Sequence, residues 1–100
     1  MDKRRLRLSK DLKTIVPHVY FQPPESIALD YPCIIYDLSK IDTKHADNIP
    51  YLNAKLYTLT LICDDPDNDY VDQIMSRPYT SFSRHYETNN QHHYVFERYN

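Results

Sequence analysis

The stretch VYFQPPESIALDYPCIIYDLS, residues 19–39, decides the fold, because it reads as a strand, a rigid turn and a second strand. Pro23 and Pro24 lack an amide donor and fix φ, so they end a short strand at Val19–Gln22, as suits a sheet edge. They also force an extended link through residues 23–32 toward Tyr31-Pro32. From Cys33 to Ser39 the pattern alternates, with Ile34, Tyr36 and Leu38 on one face and Cys33, Ile35, Asp37 and Ser39 on the other. That is the period of a half-buried strand.

Upstream, Leu8, Leu12, Ile15 and Val16 recur at i, i+4, i+7 and i+8. The spacing predicts an amphipathic helix over residues 4–15, within an N-terminal segment 1–16 that Pro17 stops. Downstream, residues 40–53 are polar and longer than the usual hairpin connection of about 2–5 residues. They read as a long interaction loop, a hairpin extension or an arm reaching another subunit, and equally as a solvated connection. Ala54–Cys63 is the strongest strand and the expected centre of the sheet, with Tyr57, Leu59, Leu61 and Cys63 facing one way. The run 64–69 breaks it, and Asp69 is placed to cap a short helix whose inner face is Val71, Ile74 and Met75, closed by Pro78. Thr80–Tyr86, with Phe82, Arg84 and Tyr86 on one side, and Tyr94–Tyr99 form a hairpin about the turn at Thr88–Gln91. The expected fold is α+β: a single antiparallel or mixed sheet of four to five strands with two helices packed on it.

One hundred residues suit a single domain, 1–100. The chain has no glycine, so a P-loop, a dinucleotide-binding turn and a nucleophile elbow have no residue for their positive-φ or close-approach positions. Turns must come from Asn, Asp and Pro. Ten tyrosines and no tryptophan suit sheet packing first and contact surfaces second. The net charge of −2 is uneven. Residues 1–13 hold Lys3, Arg4, Arg5, Arg7, Lys10 and Lys13 against Asp2 and Asp11, hence +4, leaving −6 for the rest. Arg4, Arg5 and Arg7 are a basic contact candidate, with a solvated helix face as the alternative. The acidic remainder suits a surface that DNA slides past without sticking.

Cys33 and Cys63 read as buried thiols in a reducing cytoplasm, since a disulfide would need adjacent strands and matching faces. No apolar run reaches the roughly 18 residues of a membrane span. Asp65, Asp67 and Asp69 imitate the start of a calcium loop, but Tyr70 stands where that loop needs Gly and Ser76 where it needs Glu. A strand-to-helix turn accounts for them instead. His85, His92 and His93 lack metal-ligand spacing, and neighbours on a strand point to opposite faces, so they read as surface or turn histidines. No serine or cysteine stands in a nucleophile motif. No enzyme activity, catalytic residue, metal or cofactor is expected.

Six segments in order, YFQPPES, YPCIIYDLS, IDTKHADNIPYL, LTLICDDPD, RPYTSFSRHY and HHYVFERY, resemble the tail-completion or tail terminator (minor capsid, neck) proteins of long-tailed bacteriophages. Members typically carry a YxQPPE segment, YPCI opening a strand and a loop close to IDTKHADN. The likeness runs from Val19 to the C-terminus and rests on the ordered series. The resemblance implies a virion protein of the head–tail neck, located in the virion and, during assembly, in the host cytoplasm. Its subunits would form a ring, expected to be hexameric, that caps the tail tube, ends its polymerisation and meets a head-side connector or head-completion protein. Genome DNA would pass through without sequence-specific binding, and no membrane is involved. The interface residues expected are Ile41, Asp42, Thr43, Lys44, His45, Asp47, Asn48 and Tyr51 on the loop, and Tyr94, Phe96, Arg98 and Tyr99 on the last strand. A head-completion adaptor on the portal side and a small DNA-binding accessory protein are the alternatives.

Overall fold

The computed structural model describes residues 3–46, 49–65 and 68–100, with backbone alone at 3–4, 42–46 and 49–54. Its elements are α1 (Lys3–Lys13), β1 (His18–Phe21), β2 (Cys33–Ala46), β3 (Ile49–Cys63), α2 (Tyr70–Met75), β4 (Thr80–Thr88) and β5 (Gln91–Tyr99). The strands form one sheet in the order β1-β2-β3-β5-β4. Only β1 and β2 run parallel, so this is an α+β fold on a mixed sheet. The strongest strand, β3, is central, and β1 lies at an edge.

Both helices cover one sheet face. Leu8 and Leu12 of α1, Ile15 and Val16 just after it, and Ile74 of α2 share a core with Ile34, Tyr36, Tyr57, Leu59, Leu61 and Phe96. The sheet residues are register partners or near neighbours: Ile34 with Leu61, Tyr36 with Leu59, Leu59 with Phe96. Phe21, Tyr36 and Tyr57 pack as an aromatic cluster with centroids 4.9–6.4 Å apart, and the Tyr36 hydroxyl hydrogen-bonds Ser9 of α1.

The Pro-Pro link crosses the opposite face, where Pro23, Pro24, Glu25, Ile27 and Leu29 line a cleft with Ile35 and Asp37. It is tied down at each end, with Gln22 N donating to Tyr36 O at 3.0 Å and Asp30 N donating to the Tyr20 hydroxyl at 3.1 Å. The link therefore lies over Ile35 and Asp37, on the sheet face away from the helices.

Three expectations are corrected. Residues 40–46 and 49–53 are strand, paired from Lys40↔Leu56 to Ala46↔Ile49, so the expected loop is a hairpin extension. Asp47 and Asn48 lie outside the described residues. The sequence pattern misses these strands because alternation reports burial on a core, whereas a backbone ladder needs none. Second, Asn68 caps α2: its Oδ1 accepts from Tyr70 N at 3.0 Å and Val71 N at 3.4 Å, while Asp69 makes no side-chain cap bond. The inner face of α2 is Tyr70, Val71 and Ile74, and Met75 is exposed. Third, a β-bulge between Phe82 and Arg84 changes the facing of β4. Phe82 pairs with Phe96 on the helix side, and Arg84 and Tyr86 pair with Val95 and His93 on the other. The cause is the turn. Asn89 and Asn90 take φ of 53° and 61° in place of glycine, which suits a two-residue primed hairpin turn. Counting back from it would send Phe82 away from the core, and the extra residue, Ser83, returns it to Phe96 at 5.6 Å.

Candidate interaction surfaces

The largest projection is the β2–β3 hairpin. The ladder with β1 ends at Phe21↔Tyr36 and that with β5 at Leu56↔Tyr99. Beyond them the hairpin is met by Gln22, whose Oε1 accepts from Leu38 N at 3.2 Å, and by the Asn100 amide, which donates to Lys55 O at 2.9 Å. Residues 40–46 and 49–55 are thus a two-stranded ribbon. The molecule measures 52 × 27 × 23 Å with a radius of gyration of 14.8 Å, above the roughly 13 Å of a compact domain this long. Ile41 at the ribbon's base is 52% exposed. Asp42, Thr43, Lys44 and His45 lie on the outgoing strand and Tyr51 on the returning one. Of the expected loop contacts, Ile41, Asp42, Thr43, Lys44, His45 and Tyr51 are therefore gathered on one arm.

The last strand is placed differently. β5 lies between β3 and β4, so its backbone has no free edge to offer. Phe96 is fully buried and Tyr94 packs against the core. Arg98 is held by Asp11 at 2.8 Å. Of the four residues expected to meet a partner, only Tyr99 is exposed. The sheet's edges are β1 and β4, and β4 is the longer, exposed along nearly its whole length, with Tyr79 (80% exposed) and Phe82 at its start.

The basic N-terminus is partly committed inward. The Arg5 guanidinium lies 4.5 Å from the Phe21 ring centroid, a cation–π contact, and Nη1 donates to the Tyr36 hydroxyl at 3.4 Å. Arg7 is exposed. Lys10 and Lys13 in the last turn of α1 complement the helix dipole.

Cys33 and Cys63 are free thiols. Their strands are adjacent, but Cys33 pairs with Ile62, which puts the two cysteines on opposite faces. Burial, with a smaller contribution from Cys63, raises the Cys33 thiol to about 11, and burial also raises that of Cys63. Asn68 Nδ2 donates to Cys63 Sγ at 3.3 Å and to Asp65 O at 2.8 Å, closing the strand-to-helix turn on itself. Because the native Cys33 thiol resists ionisation, its contribution to stability is complete below the ordinary value of 9.0 and is lost as pH rises toward about 11. Denaturant melts from pH 8 to 11 should therefore fall more steeply for the wild type than for Cys33→Ala, by on the order of 2 kcal/mol across the window. Parallel slopes would refute this.

Among the described residues no three metal-ligating side chains stand together, and no helix is long and apolar enough to cross a membrane. Two constellations were not foreseen in the sequence: Asp11 with Arg77 and Arg98, and His85 against His92. The second can be found by counting outward from the Asn89-Asn90 turn. The first joins residues far apart in the chain, and no local pattern announces it. The chain matches no family of known proteins and no curated protein.

Proposed function

We propose that this chain is a structural subunit of the head–tail neck of a long-tailed bacteriophage. Its copies close a ring that caps the tail tube, ends its polymerisation and joins the head-side connector. The observation that carries this reading is the β2–β3 arm: residues Ile41–Ala46 of the motif IDTKHADN of the ordered series lie along its outgoing strand. A two-stranded ribbon without a third strand is marginally stable in water, so a neighbouring subunit that covers it supplies what the monomer lacks. A closed ring needs two different complementary surfaces on each copy, and the arm and the free β4 edge are two such surfaces. The commitment of Arg5 to Phe21 and Tyr36 weakens the DNA-binding alternative.

The test is assembly. Sedimentation of the purified chain at high concentration should give a closed oligomer, and mixing with tail tubes or connector rings should give end-on complexes in electron micrographs. A chain that stays monomeric and joins neither structure would overturn the proposal.

A further inference from the structure

The β4–β5 hairpin carries a pair of imidazoles that the neck reading does not use. The register pairs His85 with Tyr94 and Glu87 with His92, which sets these four side chains on one face next to the turn. His85 Nε2 and His92 Nδ1 approach to 3.1 Å, with the rings within 17° of parallel. Both stand beside the Tyr94 ring, at centroid distances of 4.7 Å and 6.3 Å. Tyr94 itself packs on the core, so the pair rests on a fixed floor and is open to solvent at His85.

We propose that His85 and His92 form a two-histidine site for a divalent transition metal, copper(II) foremost. Metal–nitrogen bonds of about 2.0–2.1 Å to atoms 3.1 Å apart subtend roughly 100°. That is near the cis angle of a tetragonal centre and slightly below the tetrahedral one, which together with the general affinity order favours copper(II) over nickel(II) and zinc(II). Magnesium and calcium, which need oxygen donors, are excluded by the same donor set. Water fills the other positions, and the exposed Glu87, opposite His92, can supply a carboxylate by changing rotamer. His93 is the internal control: it lies on the other face, stacked on Tyr86 at 4.7 Å.

The full chain is titrated with copper(II) sulfate in a non-chelating buffer and followed by electron paramagnetic resonance and by thermal melting. The expected result is a signal split by two imidazole nitrogens and a melting temperature that rises with copper but not with magnesium. His85→Ala and His92→Ala should each weaken the site roughly tenfold or more, with unchanged far-ultraviolet circular dichroism because neither ring is in the core. His93→Ala should change it less than about twofold. If His85→Ala binds copper as the wild type does, or if His93→Ala weakens it equally, the assignment fails. Should either alanine variant unfold, His85→Gln and His92→Gln replace it and are read by the same criterion.

Discussion

Joining Asp42 to Ala54 through an Asn-Gly turn, so that residues 43–53 are removed, is expected to abolish ring assembly while leaving the melting temperature of the subunit nearly unchanged. Asp42 and Ala54 are register partners, so the shortened strands meet without a slip, and Asn-Gly favours the primed turn that a two-residue hairpin needs. Every residue of the core cluster lies outside the deletion. The β3–β5 ladder from Leu56 to Cys63 is also intact. The removed ribbon has no third strand, so the body loses little by its absence, within about 1 kcal/mol or roughly 5 °C. An intersubunit contact made by the arm, in contrast, is lost outright. Sedimentation and thermal melts of the same sample separate the outcomes. Continued assembly would remove the arm from the interface, and a melting point depressed by well over 10 °C would show that the arm supports the subunit itself.

The arm also shows where the sequence stops being informative. The inner halves of β2 and β3 are legible because Ile34, Tyr36, Tyr57, Leu59 and Leu61 recur at every second position, and that period is the imprint of a face turned to the core. Outward from Lys40 the sequence turns polar and carries no such period, and the strands continue unannounced. The helices are readable from Leu8, Leu12 and Ile74, but the cap of α2 is not, because Asn68 and Asp69 are both good capping residues and only the backbone path chooses between them. Strand order is the largest gap. Nothing local in Tyr94–Tyr99 says that β5 inserts between β3 and β4, which is why Phe96 and Arg98 read as partner contacts when one is core and the other is tied to α1. The histidine pair needs a turn register and a diagonal neighbour, information present in the sequence once Asn89-Asn90 is recognised as the turn.

Replacing Asp11 by alanine is expected to cost about 2 kcal/mol, a fall in melting temperature of roughly 10 °C. An acidic side chain in the last turn of a helix opposes the helix dipole, so Asp11 at the end of α1 requires tertiary partners to be favourable. It has two. Arg77 Nε lies 3.0 Å from Oδ1, and Arg98 Nη1 lies 2.8 Å from Oδ2. Arg77 Nη2 adds a bond to the Thr14 hydroxyl at 3.2 Å. One carboxylate thereby ties α1 to the segment after α2 and to β5. The two halves are unequal. Asp11 and Arg77 are each about one-third exposed, at 32% and 30%, so solvent screens that pair and it is worth about 1 kcal/mol or less. Arg98 is only 12% exposed, and its buried Nε has no hydrogen-bond partner, so loss of the carboxylate leaves a largely buried guanidinium facing the like charge of Arg77. Most of the cost comes from that stranded charge. It follows that Arg77→Met should cost far less than Asp11→Ala, and that the double variant Asp11→Ala with Arg98→Met should recover part of the single variant's loss. Denaturant melts of the wild type, Asp11→Ala, Arg77→Met, Arg98→Met and the double variant measure these differences. A loss below about 0.5 kcal/mol in Asp11→Ala, or strictly additive effects in the double variant, would mean that Arg98 is adequately solvated without its partner.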